Sequence, residues 1–251
     1  MRLLFDFLLR FGWGLAAGLV VTSPTAVTAG FFRVNSLVVM GIATFAALLA
    51  PAAGGSWPLP AAAAVIAWMS SVAWLGEKRR AGLVLCATTA ILLAAAASLL
   101  APASAGPASW SVGRLGVMPS AIVRLVSGLV VGLTVHAMLL GHWYLNAPGM
   151  SVAALRLAIA QALVAWGTCL VAELALGASA IPDALRNADS ATRALLALRW
   201  LAGLLGLPIL LVMARRTLDI PNTQSATGIL YVACLAAILG ELTAQLLAAA
   251  T

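Results

Sequence analysis

Long apolar runs alternate along the chain with short polar interruptions. Eight runs stand out, at about 8–30, 34–51, 59–76, 81–102, 119–143, 152–177, 194–214 and 225–249. Each is close to the ~20 residues that a helix needs to cross a hydrocarbon core. Barrel strands would be shorter and would alternate with period two. These runs are instead rich in Leu and Ala, which favour helix. In lipid, every backbone polar group needs a partner inside its own helix or in a closed barrel. The pattern therefore predicts an all-α integral membrane protein of about eight transmembrane helices in a lipid bilayer.

The polar interruptions carry the topology. The loops are brief, and the longest, at about 103–118 and 178–193, are rich in Ala, Ser, Gly and Pro or mildly charged. Neither can hold a soluble catalytic domain. The loops after helices one, three, five and seven carry Arg33, Lys78-Arg79-Arg80, Arg156 and Arg215-Arg216. The opposite side has Arg2, Arg114, Arg186 and Arg193, partly offset by Asp183 and Asp189. The excess of basic loops places the first side in the cytoplasm and both termini outside it. A bacterial cytoplasmic (inner) membrane is the expected location. Met1–Gly30 contains a stretch, TAVTAG, that imitates a leader cleavage site, but it reads here as the first span.

The runs also resemble one another. LLRFGWGLAAGL around Arg10 aligns with IVRLVSGLVVGL around Arg124, matching Gly14 to Gly128 and Gly18 to Gly132. Further on, GFFRVN at Gly30–Asn35 aligns with GHWYLN at Gly141–Asn146. An offset of four helices preserves direction, so the expectation is two parallel four-helix repeats about an axis along the membrane normal. The halves would be 1–103, read as scaffold, and 104–251, read as the functional half. Each glycine pair is a small-xxx-small step of the kind that lets helices approach closely.

Composition narrows the function classes. The chain is 63% hydrophobic and only 8% charged, with a formal net charge of +7. In a soluble protein that charge would suggest nucleic acid, but here the basic residues sit at helix ends, so no nucleic-acid partner is expected. Cys86, Cys169 and Cys234 lie inside apolar runs without a CxxC spacing and read as small core residues. No Walker A, HExxH, GxSxG or GxGxxG-acid pattern is present. An autonomous hydrolase or ATPase is therefore not expected, although a subunit of an oxidoreductase complex remains open.

Candidate chemistry is confined to polar groups within the apolar runs, which are costly in lipid and functional candidates by default. Arg124, Glu173, Arg199 and Glu241 fall in the outer third of helices five to eight, with formal charges that cancel. They read as structural ion pairs or as a proton or ion relay. His136 lies near mid-membrane and can shuttle a proton, bond a neighbouring helix or ligate haem. The only other histidine, His142, is six residues away on the same helix. The two are about 120° apart in azimuth and ~9 Å apart along the axis. A haem held by two histidines of one chain is thus not expected. His136 stays a haem-ligand candidate only with a methionine or a second subunit.

A second cluster is expected at the inner ends. His142, Trp143, Tyr144 and Asn146 close helix five, Arg215 and Arg216 close helix seven, and Gln224 opens helix eight. A quinone head group, a lipid phosphate or a small anion would suit such a mouth; an ordinary interfacial anchor is the alternative.

Three function classes follow. The first is a membrane subunit of a respiratory or electron-transfer complex, contacting quinone or contributing to a proton path, with other membrane subunits as partners. Its two-bundle arrangement is similar, in architecture only, to quinol-interacting anchor subunits of membrane oxidoreductases. The second is a small-solute transporter or channel, for which Pro24 and Pro208 are candidate mid-span breaks in helices one and seven. The third is a structural scaffold or assembly subunit.

Overall fold

The computed structural model describes residues 1–100, 117–147, 149–177, 189–220 and 222–250. Among these residues the chain is helical, with no strand. The helices are α1 (Arg2–Val21), α2 (Ala29–Ala53), α3 (Pro58–Leu75), α4 (Arg79–Leu99), α5 (Val117–Asn146) and α6 (Ala153–Gly177). They are followed by α7 (Ser190–Thr217) and α8 (Thr223–Ala250). Eight helices in the described residues are long and apolar enough to cross a membrane. Arg114, Asp183 and Arg186, counted above for topology, lie outside the described residues, as does the boundary between the two proposed halves.

Local chemistry explains the helix ends. Gly54 closes α2 in the left-handed conformation, with φ of +66°, which glycine adopts without a steric penalty. Pro58 opens α3, where a missing N–H costs nothing. The Asp189 carboxylate accepts the Thr192 N–H at 2.8 Å and caps α7. Asn222 accepts the Ser225 N–H at 3.0 Å and caps α8.

The first run differs most from the sequence reading. The first run was expected at 8–30, yet α1 begins at Arg2 and ends at Val21. Asp6 pairs with Arg10 one turn on, so the polar N-terminal residues enter the helix. Residues 22–28 then form the turn into α2. Pro24 lies in that turn and is not a mid-span break. Ser and Thr around it favour turns, because their hydroxyls compete for backbone hydrogen bonds.

Pro208 does mark a break. Residues Arg199–Gly206 are wound as a π-helix. The Leu207 N–H reaches back five residues to the Ala202 carbonyl. A proline has no N–H and its ring clashes with the carbonyl four residues earlier. The wider turn just before Pro208 relieves that clash.

α1 packs against α2, α4 and α5, while α5 packs against α1, α6 and α8. The two run parallel, because contacts between them climb both helices in the same order. Trp13 donates to the Leu125 carbonyl at 2.9 Å, Thr22 meets His136 at 2.7 Å, and Trp143 donates to Thr28 at 2.9 Å. Their crossing is built from glycine. A methyl group at Gly14 would strike the Gly128 carbonyl, and one at Gly132 would strike the Gly14 backbone. α7 and α8 meet in the same way, with a methyl group at Gly240 falling 2.7 Å from Gly203 Cα. Outward positions stay apolar, including Leu48, Ile91, Val164 and Leu201.

Candidate functional site

A buried charge cluster sits at the end of the molecule that bears both termini. It starts on α1, where Asp6 and Arg10 share one face at the i, i+4 spacing. The Arg10 guanidinium donates from Nε to Asp6 Oδ1 at 3.0 Å and from Nη2 to Asp6 Oδ2 at 2.5 Å. Its remaining nitrogen, Nη1, reaches across to Glu241 Oε1 on α8 at 2.7 Å. Gln245, one turn after Glu241, donates to the same oxygen at 2.8 Å, and the Ser127 hydroxyl on α5 lies 3.3 Å from that oxygen and 3.2 Å from the Arg124 carbonyl. All three charged side chains are nearly buried, with 13%, 12% and 6% exposure for Asp6, Arg10 and Glu241.

Glu173 on α6 and Arg199, the first residue of the π segment, form a second ion pair. Arg124 pairs with neither glutamate. It donates instead to the Leu100 carbonyl at the C-terminus of α4, where the helix dipole favours a cation. The four charges expected to associate within α5–α8 are therefore distributed differently. Glu173 and Arg199 meet, whereas Glu241 takes its cation from α1. Two guanidinium groups, Arg10 and Arg199, thus hold three carboxylates, Asp6, Glu241 and Glu173.

The two pairs flank one half-open cavity of about 50 Å³ lined by α5, α6, α7 and α8. Glu173, Arg199, Glu241, Ser127 and Cys169 give it a polar side, and Trp166, Gly203 and Leu207 wall it. A water needs only about 10–15 Å³ measured in this way, so several fit. The π segment forms part of the wall, and the Trp166 indole N–H bonds its Gly203 carbonyl at 3.2 Å. That bond satisfies a carbonyl which the wider winding leaves available. Among the described residues no group of three or more His, Cys, Asp or Glu side chains comes together as a metal site.

No family model matches the chain, and comparison with curated proteins and with solved structures finds no match.

His136 is wholly buried at the α1–α5 crossing. The Thr22 hydroxyl donates its one proton to the Gly18 carbonyl at 2.8 Å, so at 2.7 Å it accepts from His136 Nε2–H. This fixes the tautomer and leaves Nδ1 as an unpartnered acceptor beneath Gly18. The ring stands edge-on to Phe31, with 5.5 Å between centroids.

The inner-end residues do not converge. His142 Nδ1 faces the Tyr231 hydroxyl at 3.2 Å on the surface of α8. Trp143 donates to Thr28, and the Tyr144 hydroxyl donates to the Ser151 carbonyl. Consecutive helix residues are 100° apart, so three in a row must point three ways. Asn146, Arg215, Arg216 and Gln224 are exposed.

Asp6, Arg10, Ser127 and Gln245 were not singled out by sequence reasoning. Asp6 and Arg10 carry a legible signal, an acid–base pair one turn apart in an apolar run. Gln245 follows Glu241 by the same spacing. The bond between Arg10 and Glu241 spans 231 residues and leaves no local trace.

Proposed function

We propose that this chain is an integral membrane subunit that contributes a proton path to a respiratory or electron-transfer complex in a bacterial cytoplasmic membrane. One observation carries the reading. Two carboxylates from different helices, Glu173 and Glu241, open on a single water-sized cavity that also holds a guanidinium. Carboxylates and water within an apolar bundle are what proton transfer through a membrane requires. The sequence offers no redox group of its own, so an electron-transfer partner would have to supply that chemistry.

The same reading puts both termini, and with them the cluster, on the non-cytoplasmic side, following the basic loops. The cluster is set deep. Arg10 lies about 12 Å from the start of α1, and Glu241 lies roughly 13 Å from the end of α8, at 1.5 Å per residue. Two parallel four-helix repeats are part of the proposal. The meeting of Gly14 with Gly128 supports them, since that pair is also matched in the sequence alignment. A quinone at the inner end has less support, because the side chains there bond in separate directions.

A second reading, a small-solute transporter, is favoured by the π segment along the cavity wall, since broken helices often line substrate sites. One experiment separates the two. The purified protein is reconstituted in vesicles carrying a pH-sensitive dye, and its visible spectrum and co-purifying subunits are recorded. Proton flux lost in the Glu173→Gln/Glu241→Gln double variant, with cytochrome-containing partners, supports the path. Solute uptake by the lone protein without proton flux overturns it.

A further inference from the structure

Arg10 divides its guanidinium unequally between two carboxylates. Two nitrogens form a fork on Asp6, on the same helix, and one reaches Glu241 in the other bundle. Arg10 thus has two carboxylate partners and keeps a counterion when one of them takes a proton. The fork stabilises ionised Asp6 through two charge-assisted bonds. Glu241 has one such bond, supplemented by the neutral donor Gln245 on the same oxygen. Glu241 also lines the cavity, and Asp6 does not.

We infer that Glu241 is the residue of this cluster that binds and releases the proton, and that Asp6 is the standing counterion that makes the exchange possible. The inference rests on the proton-path reading of the cavity. The charged and titratable neighbours are Arg2, Asp6 and Arg10 on α1, Arg124 on α5, Cys169 and Glu173 on α6, and Arg199 on α7. A proton arriving through cavity water bonds to a Glu241 carboxylate oxygen and converts it to the neutral acid. Arg10 stays charged and keeps its fork on Asp6, so no buried cation is stranded. Release is the reverse step, with no other bond made or broken. Glu173 lacks this provision. It is the carboxylate bonded to Arg199 among the described residues, and its protonation would leave that guanidinium without a counterion. Glu173 is therefore assigned to hold the cavity wall through its pair with Arg199.

The test is infrared difference spectroscopy of the full-length reconstituted protein, following the protonated-carboxyl band through a pH titration. The expected result is a titrating band that disappears in Glu241→Gln and persists in Glu173→Gln. Asp6→Asn leaves Arg10 to Glu241 alone and removes a repelling charge, so both effects favour ionised Glu241. The midpoint should fall. A band that survives Glu241→Gln, or a midpoint that Asp6→Asn leaves unmoved or raises, overturns the inference. Glu241→Asp keeps a carboxyl and displaces it by one carbon, so it must shift the midpoint even if Asp6→Asn does not fold; an unmoved midpoint again overturns it. The outcomes separate the two levels of the argument. Titrating Glu241 in vesicles without proton flux removes the path and keeps this assignment. Full flux in Glu241→Gln vesicles removes the assignment and keeps the path.

Discussion

The α1–α5 crossing is held by glycine, and Gly132→Ala tests how much depends on it. A Cβ at Gly132 would fall on the backbone of Gly14 and Leu15. Backbone cannot rotate aside as a side chain can, so the helices must part. Ordinary carbon contacts lie near 3.5–4.0 Å, which calls for a separation of roughly 1.5 Å. Replacing glycine within a helix gains about 0.5–1 kcal/mol. Overpacking opposes this with about 1–3 kcal/mol. The same displacement would draw Arg10 and Glu241, now 2.7 Å apart, beyond hydrogen-bond range. Breaking a buried pair costs about 3–5 kcal/mol in full, and partial relaxation of the long Arg10 side chain recovers much of it. The net expectation is a loss of about 2–4 kcal/mol. Chemical denaturation in detergent, followed by circular dichroism, measures it. Gly41→Ala is the control, since nothing lies within 4 Å of a methyl group there, and it should be neutral or slightly stabilising. A Gly132→Ala protein as stable as the Gly41→Ala protein would refute the claim that backbone contact at this crossing holds the two bundles together.

Other predictions concern single contacts. Glu173→Gln strands Arg199 and should destabilise by about 1–3 kcal/mol, with most of the loss recovered in Glu173→Leu/Arg199→Leu; additive losses in the double-mutant cycle would deny the pairing. If Arg199→Leu assembles normally but loses proton flux, Arg199 acts in the relay, whereas loss of the folded protein assigns it a structural role. Thr22→Val removes the acceptor that holds His136 as its Nε2–H tautomer, so nitrogen chemical shifts should show one tautomer in the parent and a mixture in the variant; a mixture in both would refute the assignment. At the exposed start of α7, hydrogen bonds from Thr192, first its hydroxyl and then its N–H, hold the Asp189 carboxyl below its ordinary value. A depressed folded value means that the cap contributes above the unfolded pKa of about 3.9 and is lost as pH falls through the folded value. Amide-exchange protection of Thr192 should therefore decline in acid in the parent and stay flat in Asp189→Asn.

The helices were legible because lipid imposes one rule on every span, that it be long and apolar. Hydropathy cannot see compensation, however, and that is where it misplaced α1. Asp6 and Arg10 weigh against a span when counted singly, yet as a pair they enter the helix with little charge to hide. The glycine steps were legible as close-packing positions, and they do form the crossing. Their partners were assigned by alignment rather than by contact, so Arg10 was read as the counterpart of Arg124 and not as the partner of Glu241. At the inner end, polar residues close together in sequence suggested a pocket, and helical rotation sends His142, Trp143 and Tyr144 to three different neighbours. What decides the chemistry of the cluster is a property of the set. Arg10 is bonded by two carboxylates, Asp6 and Glu241, whereas Arg199 is bonded by Glu173. Two glutamates equivalent by residue type thus differ in their surroundings through a single aspartate on a helix more than 230 residues away. The spacing between Asp6 and Arg10 shows that the pair exists, and only the packing of α8 against α1 and α5 shows which carboxylate it serves.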